Sequence, residues 1–260
     1  MIDVQGISFG YGDLPVLKDV SFQVETGEFV CILGANGCGK TTLLKTMLGF
    51  FQPQGGRVFL DGEDIHTLDA KYLARKVAYI PQNHVPPFPF SILDVVLMGR
   101  TPYLSRTYRP KQEDYDIAMD ALDRLGIPAL ADRKYTELSG GQRQMVIIAR
   151  AIAQQTATII MDEPTANLDF GNQYLVLAQL LKLKEKHMSV VMVTHNPEHA
   201  IYCADRIIAM RDGRILKAGT VGETVTEPML REIYGMEVKV REVSLDADTR
   251  TTVCVPYPGR

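Results

Sequence analysis

Gly34-Ala35-Asn36-Gly37-Cys38-Gly39-Lys40-Thr41 follows the apolar run Phe29-Val30-Cys31-Ile32-Leu33 and precedes Thr42-Leu43-Leu44-Lys45-Thr46-Met47-Leu48, a stretch with helical patterning. A buried strand, a glycine loop ending in Lys-Thr and a helix, in that order, form a phosphate-binding arrangement. Glycines let the loop fold back so that successive N–H groups point inward at an anion. The helix start adds its own N–H groups and the positive end of its dipole. In this setting Lys40 reaches the β- and γ-phosphates of a nucleoside triphosphate, and the Thr41 hydroxyl ligates Mg²⁺. A glycine-rich turn beside a surface lysine is the plainer alternative, and the complete motif in its strand–loop–helix context argues against it.

The 260 residues allow one large domain, or a domain carrying a sub-domain. A hydrophobic content of 46% with 23% charged residues fits a globular chain able to bury a good core. The net charge of −3 gives no global argument for nucleic acid or an anionic membrane surface. Cys31, Cys38, Cys203 and Cys254 lack metal-ligand spacing, and a disulfide between the first two would distort the phosphate loop, so a reducing cytosol is expected. The opening Met1-Ile2-Asp3-Val4 has no signal-peptide pattern, and no apolar run approaches the ~20 residues that span a bilayer. Any membrane span is therefore expected from another chain.

Periodicity lays out an α/β chain. Short strands are predicted over 2–25, with a turn at Gly10-Tyr11-Gly12 and alternation at Val20, Phe22 and Val24. A strand follows at 57–62, a short polar helix at 69–75 and a buried strand at 77–80, leading into Pro81-Gln82-Asn83. The proline- and aromatic-rich stretch 85–90 suits neither a helix interior nor a central strand, and reads as a stiff linker or an exposed apolar patch for a partner. Ser91 is predicted to cap a helix over 92–98, with Gly99 as its C′ residue, and a longer helix spans 112–125. Residues 86–155 thus read as a mostly helical insertion. The continuous apolar run 158–161 suits a central parallel strand. Next come a helix at 171–186, a strand at 189–193, a hairpin across Asp212-Gly213, a helix at 226–234 and a small terminal hairpin.

Four strands therefore end in polar functions: the phosphate loop, Gln82, Asp162-Glu163 and His195. In an open α/β sheet that edge is where ligands bind. Asp162 is the second Mg²⁺ anchor, and Glu163 is the general-base candidate that polarises the attacking water. The pair before Pro164 could instead cap a helix, an alternative that the phosphate loop outweighs. Ser139 and Gln142 form a capping-box pattern, yet Gly140 and Gly141 each cost a helix ~1 kcal/mol relative to alanine. Capping alone does not explain them, whereas bare N–H groups at a helix start make a second anion site. Tyr11 is either a lid on a small core or a stacking surface for an adenine ring. His66, His84, His187 and His199 read as ordinary surface or core histidines.

Taken together, these residues resemble the ATP-binding subunit of an ABC transporter over nearly the whole chain. Gly34–Thr41 looks like the Walker A loop, 159–162 with Glu163 like Walker B, and Leu138-Ser139-Gly140-Gly141-Gln142 matches the family signature letter for letter. Gln82 falls at the Q-loop, Ala166-Asn167-Leu168-Asp169 at the D-loop, His195 at the switch histidine and Tyr11 at the adenine-stacking aromatic. The resemblance implies a P-loop NTPase core with a parallel central sheet, an antiparallel β sub-domain, and a mostly helical sub-domain between Gln82 and the Walker B strand. It places the ATPase domain at 1–235, with its helical part at about 86–155, and a β extension at 236–260.

The resemblance further implies that ATP and Mg²⁺ are bound, with Tyr11, Gly34, Asn36, Gly37, Cys38, Gly39, Lys40, Thr41 and Thr42 on the nucleotide. Thr41, Gln82 and Asp162 would serve the metal, and Glu163, His195 and Gln82 catalysis. Ser139, Gly140, Gly141 and Gln142, linked across the interface by Asp169, would complete the site of a second copy in a head-to-tail dimer. Partners would be two integral membrane permease subunits, which would hold the chain peripherally at the cytoplasmic face of the inner or plasma membrane, and, indirectly, a substrate-binding protein; nucleic acid is not expected. The segment 90–103 and Ile233-Tyr234-Gly235 look like those of importers of iron–siderophore, haem and cobalamin chelates. Importers of molybdate, tungstate, zinc or manganese share much of this pattern. A soluble ABC ATPase of DNA repair or translation fits less well, because the chain has neither a long coiled-coil insertion nor a second cassette.

Overall fold

The computed structural model describes residues 1–82, 88–104, 109–184, 188–244, 246 and 250–257. Two units emerge, one of residues 1–67 with 191–260 and the other of residues 68–190. In the first, β1 (Ile2–Tyr11) and β2 (Leu14–Val24) form an antiparallel pair whose apolar residues alternate inward. The turn lies at Gly12-Asp13 rather than at Gly10-Tyr11-Gly12: Tyr11 still pairs with Leu14, and Gly12 takes the left-handed φ of +58° that a two-residue hairpin requires. The fully buried β3 (Phe29–Leu33) runs into the phosphate loop and α1 (Lys40–Met47). Then β4 (Gly55–Leu60) adds to the other edge of β1, and β5 (Glu63–Asp64) returns beside β4.

The second unit opens with α2 (Ala70–Lys76), whose cap Asp69 accepts from the N–H groups of Lys71 and Tyr72. The buried β6 (Val77–Ile80) follows. From Phe88 the chain leads to α3 (Ile92–Leu97), capped by Ser91 in a reciprocal box with Asp94. Gly99 is not a left-handed C′ residue. Helical turns continue through 98–103, and a Cβ on Gly99 would lie 2.3 Å from the Arg150 carbonyl oxygen, so close helix packing is what requires glycine there. Beside it the buried Arg100 guanidinium binds Asp114 at 3.0 Å and the Ala153 carbonyl at 2.9 Å. Those contacts tie the segment to α4 (Gln112–Arg124) and α5 (Gly140–Ala153). The buried β7 (Thr158–Asp162) pairs in parallel with β6, and α6 (Phe170–Lys184) follows. Residues 83–87, with His84, and 185–187, with His187, fall outside the described residues.

β8 (Ser189–Thr194) carries the chain back to the first unit. There α7 (Pro197–Cys203) begins on an Asn196 cap with proline at its start, an Asn-Pro-Glu signature that is missing from the elements predicted above. β9 (Arg206–Arg211) pairs in parallel with β3, and β10 (Arg214–Thr220) returns antiparallel to β9 across Asp212-Gly213. The short α8 (Val221–Thr224) and α9 (Glu227–Tyr234) precede a terminal antiparallel hairpin of β11 (Val238–Ser244) and β12 (Arg250–Pro256).

Candidate nucleotide site

In the first unit the phosphate loop is held by its backbone geometry and by the Lys40 side chain. Gly37 and Gly39 adopt φ of +80° and +106°, a region costly for other residues. Gly34 is fixed by proximity, since a Cβ would meet the Met210 carbonyl oxygen at 2.4 Å and the Cys38 sulfur at 2.6 Å. Its N–H donates to Thr194 at the end of β8, and the Cys38 carbonyl accepts from Gly213 of the β9–β10 turn at 3.0 Å. The loop is thereby clamped on two sides. Lys40 is buried, with its ammonium on the Gly34 and Ala35 carbonyls at 2.8 and 2.9 Å. Gly39 caps α1 without a side-chain hydrogen bond, and no acidic residue occupies the first turn. That helix start presents its N–H groups and dipole to an anion. Asn36, Gly37 and Thr41 are exposed, and Thr42 is buried.

Tyr11 stands edge-on to Phe9 and Phe51 with centroids 5.2 and 5.7 Å away, while Phe9 and Phe51 stack at 5.0 Å. It closes an aromatic cluster and is itself 51% exposed. His195, exposed, follows β8. Its carbonyl accepts the Tyr234 hydroxyl at 2.8 Å, and the next N–H, of Asn196, donates to Thr194 Oγ1 at 3.0 Å. Asn196 also meets the His199 ring at 3.2 Å. Burial and the neighbouring His195 push the His199 pKa down to about 4, so that ring stays neutral at ordinary pH.

In the second unit, Ile80 and Met161 are opposite each other on the parallel strands β6 and β7. Two residues further along the chain from each, past the strand ends, the Gln82 amide donates to Glu163 Oε2 at 3.0 Å. Glu163 adopts a left-handed φ of +47°, a conformation that costs a non-glycine residue on the order of 1 kcal/mol. Asp162 before it is 2% exposed, and its charge, after burial, raises the Tyr79 pKa to about 12. Residues 164–167 form turns, so no helix begins at Pro164 and the capping alternative for the carboxylate pair falls.

The Ser139 capping box forms as expected: Ser139 Oγ accepts from Gln142 N at 3.3 Å, and Gln142 Oε1 accepts from Ser139 N at 3.2 Å. Gly140 is exposed and Gly141 buried. A Cβ on Gly141 would lie 2.5 Å from the Asn172 side chain, so this glycine also has a reason within its own chain. Asn172, which no sequence motif singles out, joins two predicted elements, because its N–H and amide donate to the Asp169 carboxylate at 2.8 and 2.7 Å. Those bonds hold the Asp169 pKa low. The Asp-x-x-Asn spacing, a capping pattern, is the available signal.

Thr41, Gln82 and Asp162 supply only oxygen donors, the kind Mg²⁺ takes, and no cluster of three or more His, Cys, Asp and Glu side chains competes for a softer metal among the described residues.

The family described as ABC transporter matches residues 17–166. An uncharacterized ABC transporter ATP-binding protein of Haemophilus influenzae is 40% identical over 234 residues, covering 90% of this chain and 89% of that one. The iron(3+)-hydroxamate import ATP-binding protein of Bacillus subtilis is 35% identical over 257 residues (98% and 94%). A molybdate import ATP-binding protein of Haemophilus influenzae is 37% identical over 235 (90% and 87%). Among solved structures, one described as an inward-facing metal-chelate type ABC transporter aligns with a TM-score of 0.88 at 33% identity, covering 98% of this chain and 96% of that one. A dimeric bacterial ABC transporter cassette aligns at 0.73 and 30% identity (85% and 99%).

Proposed function

Since this chain belongs to the ABC transporter family, we propose that it works as a head-to-tail pair of copies beneath two membrane permease subunits, hydrolysing ATP to drive import of a chelated metal compound. It is an ATP-hydrolysing importer subunit of the α/β cassette fold, and no helix among the described residues is long and apolar enough to cross a membrane. Residues 1–235 are the ATPase domain, with a helical part at about 86–155, and 236–260 are an extension of it. The subunit sits at the cytoplasmic face, held there by the permease.

The observation that carries the catalytic reading is the Gln82–Glu163 hydrogen bond at the ends of two parallel strands. Glu163 takes a proton from the water that attacks the γ-phosphorus, and the amide of Gln82 fixes the orientation of its carboxylate. The Lys40 ammonium moves from two loop carbonyls to the β- and γ-phosphate oxygens, exchanging neutral acceptors for charged ones. Thr41, Gln82 and Asp162 would hold Mg²⁺, which would supply charge neutralisation for the phosphates. Tyr11 stacks on the adenine and His195 contacts the γ-phosphate. Ser139 serves its own helix as an acceptor, which leaves the hydroxyl proton to donate to a phosphate on the other copy. Gly140 and Gly141 contribute backbone N–H groups there, and Asp169 links the two sites.

Iron–siderophore, haem or cobalamin cargo is supported by the hydroxamate-import relative and by the metal-chelate transporter. The molybdate-import relative supports the second reading, an oxyanion. Reconstitution with permease and binding protein tests both. Uptake of a ferric chelate, haem or cobalamin driven by ATP is the expected result, and uptake of molybdate alone would replace it.

A further inference from the structure

α9 ends one residue short of a left-handed Gly235, at φ +68°, so the chain turns away directly after Tyr234. The helix is anchored on both sides. The Glu232 carbonyl accepts from Arg211 of β9 at 2.7 Å, and the Glu227 carboxylate accepts from Lys239, Arg241 and the Val240 N–H of β11 at 3.0, 2.6 and 3.2 Å. Those charge-assisted bonds, led by Lys239 and Arg241, bring the Glu227 pKa down to about 2, so the clamp persists at any ordinary pH. Tyr234 is thus a short arm on a fixed element. Its hydroxyl donates to the main-chain oxygen of His195, the residue that the function above places on the γ-phosphate.

Beside Tyr234 lies a cleft of about 370 Å³ whose lining includes Asn196, Pro197, Glu198, Cys254 and Pro256. Burial, with the neighbouring Cys254 and Cys38 thiols, raises the Tyr234 pKa, which keeps the hydroxyl a donor. The His195 carbonyl belongs to a peptide with no regular partner strand, because β8 ends at Thr194. Among the hydrogen bonds that hold the peptides at this point are Tyr234 to the His195 oxygen, the Asn196 N–H to Thr194 Oγ1 and the Gly34 N–H to the Thr194 oxygen. One of them comes from the C-terminal part of the chain.

We propose that Tyr234 is a positioning residue for hydrolysis, its hydroxyl fixing the His195 peptide so that the imidazole is aimed at the nucleotide. The inference rests on the reading of His195 as the γ-phosphate contact. On this reading α9 and the terminal hairpin brace the end of β8 from outside the ATP site. No proton moves through Tyr234; its contribution is the orientation of a peptide, and it acts on turnover more than on ATP affinity.

The test uses the full-length chain, with ATP turnover, ATP binding and thermal unfolding measured on the same preparations. Tyr234→Phe keeps the ring and removes the hydrogen bond. The expected result is a kcat lowered about three- to tenfold, the size of one hydrogen bond, with KM for ATP within about twofold and Tm unchanged within about 2 °C. Cys254→Ala, which alters the cleft and leaves the hydroxyl in place, is expected to match the parent. A Tyr234→Phe kcat within twofold of the parent overturns the proposal. So does a joint loss of kcat, ATP affinity and Tm, which would make Tyr234 a packing residue. His195→Ala separates the two layers: loss of turnover on the order of 10²-fold or more is expected. Near-parental turnover in that variant removes the reading of His195 itself, whatever Tyr234→Phe does.

Discussion

The phosphate loop and the signature turn both spend glycines at the start of a helix, and they do so for different reasons. In the phosphate loop, Gly37 and Gly39 need left-handed φ, and Gly34 is pressed against Met210 and Cys38. The helix behind it has no side-chain cap. In the signature turn, neither Gly140 nor Gly141 has a left-handed φ, and Ser139 and Gln142 cap the helix from both directions. There the glycine requirement comes from Asn172 packed over Gly141 and, in the proposed dimer, from the phosphate of a second copy. On the proposed reading, a loop built from positive-φ glycines would be a complete anion cradle in one chain, and a capped helix start only half of one.

The difference can be broken first at Glu163, the proposed general base. Glu163→Gln is expected to retain ATP binding and accumulate ATP-bound dimers while steady-state hydrolysis falls on the order of 10²- to 10⁴-fold. Phosphate release and sedimentation with ATP check it; near-parental hydrolysis would remove Glu163 from the base role. A smaller effect tests the intrachain reason for Gly141. Gly141→Ala forces the new methyl against Asn172, and a loss of roughly 1–3 kcal/mol in chemical denaturation is expected, partly relieved in a Gly141→Ala, Asn172→Ala double variant. An unchanged midpoint would leave the second copy as the sole reason for that glycine.

The smallest effect concerns pH and the first unit. His199 has a folded pKa of about 4, below the ordinary value of 6.5, so the unfolded chain binds its proton first as pH falls. Its contribution is complete above about pH 6.5 and is lost progressively towards pH 4. His199→Gln is therefore expected to flatten the Tm–pH curve in that window. A parallel, shifted curve would assign the acid sensitivity to other groups.

Much of this arrangement could be read from the residues because it is local. The apolar runs at 29–33 and 77–80 match β3 and β6, and the Ser91 cap and the Ser139 capping box form as their spacing requires. The terminal hairpin forms as expected, although Val243 at its far end is exposed. What escaped is set by contacts distant in sequence. Gly99 looks like a helix stop until the Arg150 carbonyl, 51 residues on, is seen against it. Asn172 carries no motif of its own, and its role appears only when Gly141 and Asp169 are both in reach. Tyr234 reaches His195 across 39 residues, a separation no periodicity reports. The missed α7 is the exception, since its Asn-Pro-Glu start is local and readable.

The central claim is that each ATP site takes Lys40 from one copy and Ser139 from another. Mixing Lys40→Ala chains with Ser139→Arg chains tests it most directly, because a head-to-tail mixed pair regains one site with both residues intact. Each variant alone should lack turnover, with Ser139→Arg monomers still binding ATP at nearly parental affinity, and turnover should return in the mixture. Full turnover by Ser139→Arg alone, or a mixture as inactive as its components, would contradict the account.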